Sequence, residues 1–213
     1  MLFTPFTFPN GKTAKNRIFK SAMEEQLAQN DQPSEKLVRL YDTWAKGGAG
    51  MLVTGNVMVA ESGKGSINDV VISDGRSLEM LKKWAKAGTQ NDTLLIMQIN
   101  HAGKQSPAVV NKTPLAPSAV PLVGMDGFIN PPRELTADEI NGLIQQFMQT
   151  DRIQTGVAFV DKKAGAMLEM NWYMTQMDLI GQGKQPNPKL SAWKVLLKTL
   201  WENGKAGLST GRA

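Results

Sequence analysis

The sequence predicts an α/β fold of the parallel-sheet kind, and three observations carry that prediction. Met51–Val59 (MLVTGNVMV) and Leu94–Asn100 (LLIMQIN) are mostly apolar runs of strand length, the pattern of strands covered on both faces. Two intervening segments place apolar residues at helical spacing: Leu37, Leu40, Tyr41 and Trp44, then Leu78, Leu81, Trp84 and Ala85. A further strand is expected at Asn16–Ala22, ahead of both. Strands joined by crossover helices in this way open an α/β barrel or a doubly wound sheet.

Each element has a local justification. The turn at Pro9-Asn10-Gly11 is expected to close a hairpin from Phe6 to Ile18. Ser34 is an N-cap for a helix to about Lys46, and Gly47-Gly48 stops it. Ser77 is expected to open the second helix. Residues 106–134 hold six prolines, Pro107, Pro114, Pro117, Pro121, Pro131 and Pro132, and read as an extended loop or lid. Thr136 and Glu139 form a capping box for a helix to about Thr150 that buries Ile140, Leu143, Ile144 and Phe147. Beyond it the alternation ends. One weak strand is expected at Gly156–Val160, followed by helical patterns at 164–181 and 190–203. A (β/α)₈ barrel takes about 250 residues and eight strands, so fewer than half the strands are present.

Composition excludes several chemistries. The 213 residues contain no cysteine and one histidine, His101. Disulfides, thiolate metal sites, cysteine nucleophiles and multi-histidine metal centres are therefore ruled out. No run approaches the ~18 apolar residues of a membrane span, and Met1-Leu2-Phe3-Thr4-Pro5 lacks the basic and apolar regions of a signal peptide. A cytoplasmic location is the expectation. The net charge is +5, with 15 basic and 14 acidic side chains in residues 1–150 but nine and five in residues 151–213. No Arg/Lys stripe interleaves with aromatics, so nucleic acid is not expected as a partner.

Gly47-Gly48-Ala49-Gly50 follows a helix and precedes a strand, the reverse of a dinucleotide fingerprint, and reads as a helix stop. Gln98-Ile99-Asn100-His101-Ala102-Gly103-Lys104 lies at the C-terminal end of its strand, where parallel α/β folds bind ligands. Gln98 and Asn100 fall on one face. They either hydrogen-bond a heterocycle rich in donors and acceptors or cap the strand end, and the residues alone leave both readings open. Ser21-Ala22-Met23-Glu24 and Gly55-Asn56 occupy comparable strand ends. The stripe Met167, Met170, Met174 and Met177 reads as core. The last helix sets Leu190, Trp193, Leu197, Leu200 and Trp201 against Lys189, Lys194 and Lys198, a basic amphipathic pattern.

The ordered motifs Leu2-Phe3-Thr4-Pro5-Phe6, Asn16-Arg17-Ile18, Ser21-Ala22-Met23-Glu24, Gly48-Ala49-Gly50 into Thr54-Gly55-Asn56-Val57, Gln98 to Lys104, and Pro132-Arg133-Glu134-Leu135-Thr136 resemble the old yellow enzyme family. These are FMN-dependent NADH:flavin oxidoreductases and ene-reductases built on a TIM barrel. The resemblance covers about residues 1–150. The segment from Trp172-Tyr173 through Gly183–Pro188 to Trp193 is similar to the C-terminal helical tail of some members.

The resemblance implies an incomplete (β/α)₈ TIM barrel. Residues 1–150 supply about three strand–helix units, 151–163 form a junction where the rest of the barrel is missing, and 164–213 are the helical tail of the same domain. It implies FMN as cofactor and NAD(P)H as reductant, with hydride passing to a small-molecule acceptor such as an activated alkene. By resemblance, Ala22 and Met23 pack along the isoalloxazine, Asn56 (or Gly55) lies near the ring edge, and Gln98 hydrogen-bonds the pyrimidine end. Ala22 stands where relatives often have proline, and Glu24 replaces the usual small or polar residue. The residues that grip the substrate carbonyl, donate the proton and hold the FMN phosphate have no counterpart, and His101 belongs to a different strand from the first of these. Activity is therefore expected to be impaired or lost. The alternative is a non-catalytic barrel remnant that acts as an interaction module through its basic C-terminal helix. Two exposed sheet edges also lead to an expected association with a second copy or with a full-length paralogue.

Overall fold

The computed structural model describes residues 1–8 and 11–156. The chain opens with a small antiparallel hairpin, β1 (Phe6–Thr7) and β2 (Thr13–Ala14), with Phe6 opposite Ala14. The hairpin is narrower than the expected Phe6-to-Ile18 closure. The expected strand Asn16–Ala22 contracts likewise to β3 (Phe19–Lys20). Asn16 explains both. Its Oδ1 accepts from the Ile18 N–H at 3.0 Å and its Nδ2 donates to the Gly48 carbonyl at 2.8 Å. Such a local side-chain bond turns the backbone out of a ladder.

Helix α1 (Glu35–Lys46) starts where expected, with the Ser34 hydroxyl accepting from the Leu37 N–H, and Gly47 ends it. Strand β4 (Met51–Met58) is the centre of a four-stranded parallel sheet. On one edge it pairs with β3 at its start (Phe19 with Met51) and with β5 (Val70–Val71) at its end (Val57 with Val70). On the other edge it pairs along its length with β6 (Leu94–Asn100). Helix α2 (Leu78–Gly88) connects β5 to β6. Its start signal is Asp74 rather than Ser77. The Asp74 carboxylate accepts from the Arg76 N–H at 2.9 Å and opens a single 3₁₀ turn that leads into the helix, while the Ser77 side chain makes no cap bond.

The proline-rich stretch holds a short parallel pair, β7 (Leu115–Ala116) with β8 (Arg133–Glu134). The capping box forms reciprocally: Glu139 N–H donates to Thr136 Oγ1 at 3.2 Å, and Thr136 N–H donates to Glu139 Oε2 at 2.9 Å. Helix α3 (Ala137–Gly156) runs past the expected end at Thr150 because no stop signal intervenes and Ile153 still packs on the core. Gly156 is thus helical, and the rest of the expected strand at Gly156–Val160 lies outside the described residues. So do the helical patterns at 164–181 and 190–203.

The three α-helices of the described residues contribute to one hydrophobic cluster: Leu37 and Tyr41 from α1, Leu81 and Trp84 from α2, Phe147 from α3, packed on Leu95, Met97 and Ile99 of β6. Each such buried side chain contributes roughly 1.5–3 kcal/mol. Strand alternation then points Gln98 and Asn100 to the face away from the helices. Among the described residues the sheet does not close into a barrel. No helix among them is long and apolar enough to cross a membrane.

Candidate functional site

The C-terminal ends of β3, β4 and β6 converge. Asn56 and Gln98 are register partners across β4 and β6, and the register shifts between Val53 and Asn56. Thr54 repairs the irregularity by accepting the Gln98 backbone N–H on Oγ1 at 2.9 Å. Asn100 Nδ2 donates to Asn56 Oδ1 at 3.0 Å, and Asn100 Oδ1 accepts from the His101 N–H at 2.7 Å. Gln98 is only 1% exposed, and its Nε2 has no hydrogen-bond partner. A buried donor without an acceptor costs about 1–3 kcal/mol. An orphan of this kind is a donor that a ligand or water acceptor would satisfy.

Ala22 is half-buried and Met23 exposed on the segment leaving β3. The Met23 carbonyl passes so close to Gly55 that a Cβ there would lie 2.3 Å from it. The structure therefore brings together all four residues singled out in the sequence, Ala22, Met23, Asn56 and Gln98, at neighbouring strand ends. The strand-cap reading describes Asn100, whose amide bonds Asn56 and the His101 N–H, but not the Gln98 Nε2, which is left over.

The surroundings contain groups that the motifs did not single out. The Glu25 carboxylate, with its side chain 7% exposed, accepts on Oε1 from Lys20 Nζ at 3.0 Å and from the Tyr41 hydroxyl at 2.7 Å. Tyr41 Oη accepts in turn from the Gly55 N–H at 3.2 Å. Burial and the Glu25 charge push the Tyr41 hydroxyl well above its ordinary pKa. Lys20 also donates to the Val53 carbonyl at 2.9 Å and lies 4.4 Å from the centre of the Trp44 ring. Lys20, next to Phe19 in β3, was the available signal for this cluster, because an unpaired buried charge there would be costly.

Asp69 is buried and accepts from the N–H groups of Gly65 and Ser66 and from the Ser66 hydroxyl. Glu24 approaches it from the β3 side. Partial desolvation, then the Asp69 charge, raise the Glu24 pKa. Both carboxylates line a shallow, solvent-open hollow that Asn56 also borders. His101 lies beside the site, with Nδ1 accepting from the Gly103 N–H at 3.1 Å. Burial lowers its pKa to about 4, so the ring is neutral and carries its proton on Nε2.

The chemistry of this donor set fits a flavin. A pyrimidine ring edge presents carbonyl acceptors to an amide such as that of Gln98, and the exposed Met23 supplies an apolar surface for a flat ring. The model of the NADH:flavin oxidoreductase / NADH oxidase family matches residues 1–158. The chain belongs to this family. Its members include the old yellow enzymes; FMN is their flavin and a reduced nicotinamide their electron source.

The chain is 35% identical over 182 residues to the NADH-dependent flavin oxidoreductase iliE of Neonectria sp., covering 76% of this chain and 24% of that protein. It is 32% identical over 194 residues to the iliE protein of Hypocrea jecorina, covering 81% and 48%. Among solved structures it resembles the old yellow enzyme homologue of Zymomonas mobilis, with 26% identity, a TM-score of 0.66, and coverage of 74% of this chain and 46% of that one. The chain thus spans a quarter to a half of the length of these relatives.

Proposed function

We propose that this chain holds the ring of FMN at the C-terminal ends of β3, β4 and β6, and that it derives from an NAD(P)H-dependent flavin oxidoreductase whose activity is impaired here. The single observation that carries the reading is the buried, unpartnered Nε2 of Gln98 beside Asn56. Gln98 donates to a carbonyl of the flavin pyrimidine. Ala22 and Met23 cover one face of the ring, and Asn56 borders its edge, held in place by Asn100. When bound, FMN supplies hydride transfer between a nicotinamide and an electron-poor acceptor such as an activated alkene. The protein's part is to orient the ring and exclude water from it.

The impairment follows from the share of the barrel that is present. The central strand–helix units, with the phosphate anchor and the substrate-gripping residues, are among those that the chain lacks, the junction falling within residues 151–163. Support comes from the family match ending at residue 158 and from the coverage of the relatives. Losing a phosphate anchor removes charge-assisted hydrogen bonds of about 1.5–3 kcal/mol each. Pairing on one edge only leaves β6 open among the described residues, and the same reading has a second copy or a full-length relative cover it.

The test is a visible spectrum of the purified chain after incubation with FMN and desalting. Retained, structured flavin absorbance is expected, and NAD(P)H oxidation is then measured on that material. A colourless protein overturns the cofactor reading and leaves a barrel remnant that works through partners.

A further inference from the structure

A carboxylate at the floor of the site is anchored far more heavily than a surface glutamate, and its anchors come from two separate elements, each tied in turn to β4. Glu25 Oε1 receives Lys20 Nζ from β3 and the Tyr41 hydroxyl from α1. Tyr41 ties the same point to β4 through the Gly55 N–H, and Lys20 does so again through the Val53 carbonyl. Glu25 Oε2 and the Met23 carbonyl both press on Gly55: a Cβ at that position would lie 2.1 Å from the first and 2.3 Å from the second. The segment from Met23 to Glu25 is therefore clamped from below by hydrogen bonds and seated against bare backbone.

We infer that Glu25 is a positioning residue: by engaging Tyr41 and Lys20 it fixes Met23 against Gly55 and thereby sets the surface on which the flavin ring rests. This inference rests on the cofactor reading above for the ring, but not for the placement of Met23. Two features separate it from plain core packing. The contacts are directional, and Glu25 is only two residues from the side chain it places. Met23 is 52% exposed and stands outside the buried core, so its location follows from its backbone. A site of this kind needs its ring-facing groups held within about half an ångström, which supporting hydrogen bonds provide.

The experiment uses the full chain carrying ¹³C-methyl methionine, with the Met23 signal assigned from Met23→Leu. Glu25→Gln keeps the shape and removes the charge. Tyr41→Phe removes the bridge to Gly55, and Lys46→Met, which breaks only the exposed pair with Asp42, is the control. Glu25→Gln and Tyr41→Phe are expected to displace the Met23 methyl signal, to weaken FMN binding about tenfold and to change the visible circular dichroism of bound flavin. Lys46→Met is expected to change none of these. If Tyr41→Phe does not fold, Glu25→Gln carries the test alone. Should the wild-type chain bind no FMN, the cofactor reading fails, and the Met23 signal still decides the inference. A Met23 signal in Glu25→Gln that coincides with wild type overturns it in either case.

Discussion

Asn100 reaches diagonally across the sheet to Asn56, its Nδ2 donating to Oδ1 over 3.0 Å, although the register partner of Asn56 is Gln98. The diagonal bond consumes the side-chain oxygen that Gln98 would otherwise meet directly opposite. Asn100 spends its own oxygen on the His101 N–H. The Gln98 amide is left as a donor without an acceptor, in a place 1% exposed to water.

Gln98→Leu should therefore separate stability from binding. Removing the orphaned donor at similar shape is expected to stabilise the ligand-free protein by about 1 kcal/mol. The same change should weaken FMN binding at least tenfold. Urea denaturation and a flavin fluorescence titration check the two halves, and a variant that is both less stable and unaltered in binding contradicts the assignment.

Gly63 and His101 form a second tight contact. A Cβ on Gly63 would lie 2.3 Å from the imidazole Cδ2 and 2.5 Å from Cγ. Gly63→Ala is expected to cost about 2–3 kcal/mol by overpacking. Because the clash is with a side chain, adding His101→Ala should recover part of that loss. A double-mutant cycle gives the answer, and strictly additive effects would place the strain elsewhere.

The pH dependence has two opposed parts. The His101 pKa is lowered by burial from 6.5 to about 4, so between those values the unfolded chain binds a proton that the native chain refuses. This contribution is fully present above about pH 6.5 and is lost as pH falls toward 4, with a total of a few kcal/mol. Glu24 runs the other way. Its pKa is raised by desolvation and by Asp69, so its contribution is present at low pH and declines as pH rises above the ordinary carboxylate range. Denaturation midpoints from pH 4 to 7 should rise more steeply in Glu24→Gln than in wild type, and should flatten in His101→Leu. The lone imidazole gives a single unambiguous proton resonance, and a titration midpoint near 6.5 would refute the buried neutral ring.

The elements legible in the sequence are those with a period or a cap to betray them. Helix α1 carries both its Ser34 cap and its apolar spacing, β4 and β6 are long apolar runs, and the box of Thr136 and Glu139 fixes the start of α3. Strands β5, β7 and β8 span two residues each, too few to show any alternation. The start of α2 went to Asp74 because an aspartate two residues before an N–H competes with the serine nearer the helix. At the site, Ala22, Met23, Asn56 and Gln98 were legible from motif order and strand ends. Glu25, Tyr41 and Asp69 were not: a glutamate after a strand, a tyrosine on a helix and an aspartate in a loop each read as ordinary until folding brings them together.

The parallel arrangement of β3, β4 and β6 has a bearing on how the chain is made. Every residue of the floor described above, from Lys20 to Asn100, lies in one uninterrupted stretch of about eighty residues, with the two-residue β5 the only strand between β4 and β6, which meet there. That stretch is synthesised in full before α3 and the remainder, and it emerges from the ribosome ahead of them. The ring-facing floor can consequently assemble on the nascent chain, ahead of whatever later covers its open edge.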